Sequence, residues 1–104
     1  MNVLTIQSVE ELPAEIRTNI HFTFRMEHHT DYILTDRESD VYTATISMQD
    51  TSVVIETIVK NSTAFPSLTF IIDDLDMEGA KIERYYVRNG KIKERKTGSL
   101  LWKD

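Results

Sequence analysis

Glu83-Arg84-Tyr85-Tyr86-Val87-Arg88-Asn89-Gly90-Lys91-Ile92-Lys93-Glu94-Arg95-Lys96 carries the clearest structural signal in this chain. Asn89-Gly90 stands between two β-rich arms, and a two-residue hairpin turn requires positive φ at both central positions, which Asn and Gly tolerate. The stretch reads as a β-hairpin. Such a turn sets Arg88 opposite Lys91, Val87 opposite Ile92, Tyr86 opposite Lys93, Tyr85 opposite Glu94, Arg84 opposite Arg95 and Glu83 opposite Lys96. Strand alternation then sorts these pairs onto two faces. One holds Glu83, Tyr85, Val87, Ile92, Glu94 and Lys96; the other holds Arg84, Tyr86, Arg88, Lys91, Lys93 and Arg95. Five cations around one tyrosine repel one another unless something anionic lies against them.

Alternation of apolar and polar residues continues upstream of the hairpin. Leu68, Phe70 and Ile72 follow it, as do Tyr42, Ala44, Ile46 and Met48, and Ile20, Phe22, Phe24 and Met26. Each run is expected to be a half-buried strand. Ser52 to Lys60 is rich in Val and Ile on both faces and is expected as a central strand. One helix is expected between Ser8 and Asn19. Ser8 and Glu11 have the spacing of a capping box, Pro13 fits a first helical turn, and Leu12, Ile16 and Ile20 would face the sheet. Glu27 to Asp40 reads as a loop with a short edge strand at Tyr32-Ile33-Leu34. The expected fold is α+β: one domain over residues 1–104, mainly an antiparallel β-sheet of about five to seven strands with one short N-terminal helix.

A chain of 104 residues supports one core. Its composition, 40% hydrophobic and 28% charged, belongs to a folded protein rather than a disordered one. There is no cysteine. This excludes disulfides, iron–sulfur clusters, thiol catalysis and cysteine-held zinc, and points to a reducing cytoplasm, since small secreted domains usually carry such staples. Met1 to Ile6 has neither a basic leader nor a long apolar run, so no signal peptide is expected. No stretch approaches the roughly 20 apolar residues of a membrane span, and no membrane partner is expected.

Charge is distributed unevenly. Residues 1–79 hold four basic against fourteen acidic side chains, whereas residues 80–104 hold eight against three. The overall charge of −5 therefore conceals an acidic body and a basic C-terminal hairpin. The hairpin's counter-ions could be the protein's own acids, a nucleic acid, an acidic protein, or the acidic half of a second copy forming a homodimer.

Catalytic and metal motifs are weak. Asp74-Leu75-Asp76-Met77-Glu78-Gly79 copies the first six positions of a calcium loop, but the twelfth position, which should be a bidentate Glu, is Tyr85. An acidic connector between strands explains the same residues. Asp73 or Asp74 with Glu94-Arg95-Lys96 loosely matches a divalent-metal nuclease, yet Arg95 suits a central buried strand poorly. His28 and His29 are adjacent and would point apart on a strand; with Asp31 they read as a polar loop. No serine-nucleophile elbow or glycine-rich phosphate loop occurs. No metal and no cofactor is expected. The terminal Leu100-Leu101-Trp102 reads as a plug on the core, or, if exposed, as a partner motif.

The function expected from the sequence is a non-enzymatic protein-binding module, a small acidic inhibitor or immunity-type protein. Its partner would be another protein with a basic surface, met by Asp31, Asp36, Glu38, Asp40, Asp73, Asp74, Asp76 and Glu78. The alternative is nucleic-acid binding through the basic hairpin at residues 81–96, with Arg84, Tyr86, Arg88, Lys91, Lys93 and Arg95 as anion-binding residues.

Overall fold

The structure is a computed structural model that describes residues 2–28, 34–35, 40–48 and 51–99. Its elements, in chain order, are β1 (Asn2–Ser8), α1 (Ala14–His28), β2 (Leu34–Thr35), β3 (Thr43–Met48), α2 (Ser52–Asn61), a 3-10 turn (Ser62–Ala64), β4 (Thr69–Asp76), β5 (Lys81–Arg88) and β6 (Lys91–Ser99). The strands form one sheet in the order β2-β3-β1-β4-β5-β6. Every neighbouring pair is antiparallel. The fold is α+β, as expected.

The first four strands and the two helices follow the split β-α-β arrangement of ferredoxin-like folds, and β5 and β6 extend the sheet beyond it. β1 lies between β3 and β4, with Ile6 opposite both Ala44 and Ile72. β3 and β4 thus run in the same direction with one strand between them. A connection of that kind must cross a face of the sheet, and α2 makes the crossing.

The helices cover one face. Leu4, Ile6, Ala44, Phe70, Ile72, Tyr85 and Val87 from the sheet pack there with Ile20 and Phe24 of α1 and Val54, Ile55 and Ile58 of α2. Phe24 is the centre, meeting Tyr42, Phe65 and Phe70 edge-on with ring centroids 5.8, 6.4 and 5.3 Å away. Such pairs add about 0.5–1.5 kcal/mol each beyond the area they bury.

Two expected strands are helices. Ile20, Phe22, Phe24 and Met26 alternate, but Ile16, Ile20 and Phe24 also recur at helical spacing, and this second period prevails. Ile20 and Phe24 are fully buried while Phe22 is 52% exposed. The helix begins after Pro13, whose carbonyl accepts the N–H groups of Ile16 and Arg17, but it runs nine residues past the expected end at Asn19. Ser52 to Lys60 forms α2 rather than a central strand. Its buried Val54, Ile55 and Ile58 share one helical face, and Val53 points outward. Burial in the shared core beside α1 and the crossover requirement override the β-preference of its valines and isoleucines.

The capping box does not form. Ser8 ends β1, where its hydroxyl accepts the Tyr42 N–H and donates to the Glu10 carbonyl. β1 itself was not anticipated, although Leu4-Thr5-Ile6-Gln7 alternates. Among the described residues, no helix is long and apolar enough to cross a membrane.

The helical reading of residues 20–26 has a direct test. Phe24→Ala should cost about 3–5 kcal/mol in chemical denaturation, whereas Phe22→Ala should stay within about 0.5 kcal/mol. Equal losses at the two positions would restore the strand.

Candidate functional site

The hairpin is the element in which charge, exposure and geometry coincide. Asn89 and Gly90 adopt φ of 48° and 77°, the turn geometry that the dipeptide announces. The Gly90 N–H donates to Ser62 Oγ at 2.8 Å, tying the tip to the turn that follows α2. Arg88 pairs with Lys91 and Val87 with Ile92, as the two-residue turn dictates.

Beyond those pairs the register departs from expectation. A β-bulge leaves Lys93 without a partner across the ladder, so Tyr86 lies opposite Glu94, Tyr85 opposite Arg95, Arg84 opposite Lys96 and Glu83 opposite Thr97. The expected face of five cations is therefore divided. Arg95 moves to the helix-side face, and Glu94 and Lys96 take places on the open face beside Arg84 and Tyr86.

Several charges on the two faces have a counter-ion. On the open face Arg84 grips Asp73 of β4 with two bonds, Nε to Oδ1 at 2.7 Å and Nη2 to Oδ2 at 2.9 Å. That carboxylate raises the Arg84 pKa further above its ordinary value. Lys96 lies 3.7 Å from Glu94 and 5.5 Å from the Tyr86 ring centre. On the helix-side face Arg95 donates to Glu83 at 2.6 Å and sits over the Tyr85 ring, and the Tyr85 hydroxyl donates to the other Glu83 oxygen at 2.6 Å. Those two donors hold the Glu83 carboxyl below its ordinary range. Burial, then the bond to Glu83, pushes the Tyr85 hydroxyl up to about 12.

Three of the acids expected to form the recognition surface have internal partners. Asp73 holds Arg84. Asp74 accepts from Asn2 Nδ2 at 3.2 Å and from the Thr51 hydroxyl at 2.8 Å, so the residue at the head of α2 reaches a strand carboxylate instead of capping its own helix. Asp76 accepts the N–H groups of Glu78 and Gly79 and shapes the β4–β5 turn. The calcium-like run is thus a strand end and a turn. Glu78 and Asp40 are exposed. Asp31, Asp36, Glu38, His29 and the Leu100-Leu101-Trp102 tail lie outside the described residues, and His28 is the last residue of α1. β6 is outermost and β5 separates it from β4, so Glu94-Arg95-Lys96 is not on the strand beside Asp73 and Asp74. Among the described residues, no three histidine or carboxylate side chains gather where they could hold a metal ion.

Within the hairpin the charges left over are basic, whereas elsewhere Glu11, Glu15, Asp40 and Glu56 are exposed acids that also lack an ion pair among the described residues. Among the described residues, no ion pair or side-chain hydrogen bond reaches Lys81, Lys91 or Lys93. Arg88 makes one long contact, 3.5 Å, to the Pro66 carbonyl. Every residue from Lys91 to Thr97 is exposed, including Ile92 at 47%. Although α2 approaches β6, among the described residues no side chain from Lys91 to Thr97 is buried and no further strand lies beyond β6. Its bulge, which the sequence did not reveal, decides where each charge points.

The Glu83 contacts predict a pH response. Because its folded pKa is depressed, its stabilisation is present above the ordinary value of 4.5 and is lost as pH falls through the lowered folded value. Glu83→Gln should therefore be less stable than wild type near neutral pH, with the gap closing below that value in urea midpoints measured across the acid range. A pH-independent gap would mean that the carboxylate charge contributes nothing.

Compared with known proteins, the chain matches no family model, no curated protein and no solved structure.

Proposed function

We propose that this protein is a non-enzymatic module that binds another protein through the basic β5–β6 hairpin, acting as a small inhibitor-type partner in the cytoplasm. One observation carries the reading: β6 is an ordered strand of nine residues whose described side chains are exposed from Lys91 to Thr97 and whose lysines Lys91 and Lys93 have no internal counter-ion among the described residues. A strand that buries so little gains little from packing. Its charged faces are available to a partner instead.

The acids expected to meet a basic target give weaker support, because Asp73, Asp74 and Asp76 are engaged inside the fold. Nucleic acid is the less favoured partner of the hairpin. Base stacking needs a free aromatic face. Tyr85 is buried, and the Lys96 ammonium already lies over Tyr86. A densely charged polyanion would also meet a body of net negative charge. An acidic protein surface faces a smaller penalty.

The double substitution Lys91→Glu/Lys93→Glu should leave stability within about 0.5 kcal/mol, because among the described residues neither side chain has a partner to lose. It should also abolish capture of the proteins retained by wild type in quantitative pull-downs. Val53→Asp, on the outer face of α2, should keep the wild-type set. Identical capture by all three proteins would sink the proposal. Capture replaced by salt-sensitive oligonucleotide binding that the double variant loses would establish the nucleic-acid alternative.

A further inference from the structure

We infer that β6 accepts an acidic, extended segment of another protein as an additional strand, so that recognition occurs by addition to the sheet's basic edge. This rests on the binding role proposed for the hairpin and specifies its partner.

An outermost strand presents a row of backbone N–H and C=O groups along its free side, ready to pair with another chain. β6 occupies that position over Lys91–Ser99, and the opposite edge of the sheet is β2, of two residues. Long edges invite indiscriminate pairing, and lysines with a bulge are a common guard against it. Here the guard has a sign. β6 carries Lys91, Lys93, Arg95 and Lys96 against the single acid Glu94. A second copy adding its own β6 would place cations against cations. A neutral apolar strand would strip water from the charges without repaying it. An acidic strand gains from both the ladder and the cross-strand charge pairs.

The faces refine the match. Lys91 and Lys96 lie on the open face, while exposed Ile92 lies on the helix-side face with Arg95 and Thr97. A strand alternating carboxylates with β-branched residues would set its acids toward Lys91 and Lys96 and its aliphatic groups beside Ile92. Main-chain pairing would supply affinity, and the side chains would select the sequence.

The test uses the full chain and a peptide of alternating Glu and Val about as long as β6. Its controls are the same peptide N-methylated at every backbone nitrogen, which keeps the charge but has no N–H to donate from either edge, a Lys-Val peptide, and a single-stranded oligonucleotide. Affinity is read by calorimetry, and backbone protection by hydrogen exchange. The Glu-Val peptide should bind and slow exchange at β6 amides. N-methylation, or Lys91→Glu/Lys93→Glu in the protein, should weaken binding at least about tenfold. The Lys-Val peptide should not bind. Equal affinity for the N-methylated peptide would reduce the surface to a charge patch and overturn the inference. Equal or tighter oligonucleotide binding, no binding of the Glu-Val peptide, or a concentration-dependent dimer held by β6 would also overturn it. Failure of the peptide while hairpin-dependent protein capture persists removes strand addition alone; loss of both removes the binding role as well.

Discussion

β1 runs between two strands that both oppose it, and most of the architecture follows from that placement. Its Leu4 and Ile6 are fully buried, with β3 on one side and β4 on the other. Since β3 and β4 then run in the same direction, the chain between them must pass over a face of the sheet. The same holds between β1 and β2, which run in the same direction on either side of β3. Each passage contains a helix, and both helices pack on the face where Leu4 and Ile6 point. One face is therefore covered by the two crossovers, and the open face is left to half-buried side chains such as Ile71, Leu75, Ile82 and the Asp73–Arg84 pair. β5 and β6 follow a tight turn and need no crossover. They can extend the sheet past the helices.

Within that extension a single unpaired residue governs the charges. Without the bulge at Lys93, Arg84 would oppose Arg95, and Glu94 would point toward the helix side beside Tyr85. With it, Arg95 reaches Glu83 and Tyr85, and Glu94 and Lys96 move together to the open face. Partly exposed pairs of this kind contribute little stability, typically 0 to about 1 kcal/mol. What the bulge supplies is selection. It lets Arg95 find an internal partner and takes Lys93 out of the ladder, while among the described residues neither Lys91 nor Lys93 has a counter-ion.

The sequence disclosed the hairpin turn, β3 and β4 because in each case one local rule dominates: positive φ at Asn89-Gly90, or an alternation that no competing period matches. It misled where two periods coexist. Residues 16–26 satisfy alternation through Ile20, Phe22 and Phe24, and helical spacing through Ile16, Ile20 and Phe24; only tertiary contact with Phe70 and Tyr42 decides between them. Residues 52–60 misled through composition, since β-branched residues prefer strands until a crossover requires a helix. At the candidate site the basic character was legible, whereas its sorting was not. A bulge costs one residue of register and leaves no mark in Lys91-Ile92-Lys93-Glu94, so every facing beyond Ile92 shifted. The internal use of Asp73, Asp74 and Asp76 was hidden for a similar reason, because it depends on Arg84, Thr51 and Asn2 arriving from other elements.

The acidic body and the basic edge act together on any approaching protein. Charges separated by more than about 8–10 Å in physiological salt are largely screened, so a partner feels the body or the hairpin according to the side from which it comes. An acidic partner is repelled over most of the surface and attracted along β6. A basic partner meets the reverse and is drawn away from the open edge. The asymmetry therefore orients the encounter before any backbone pairing begins, which raises productive association without adding contact area. On the proposed reading it also opposes pairing of two copies through β6, since that edge presents the same sign on each. On that reading, a polarised charge distribution on a sheet with one long edge combines access for acidic strands with protection against pairing of the protein with itself.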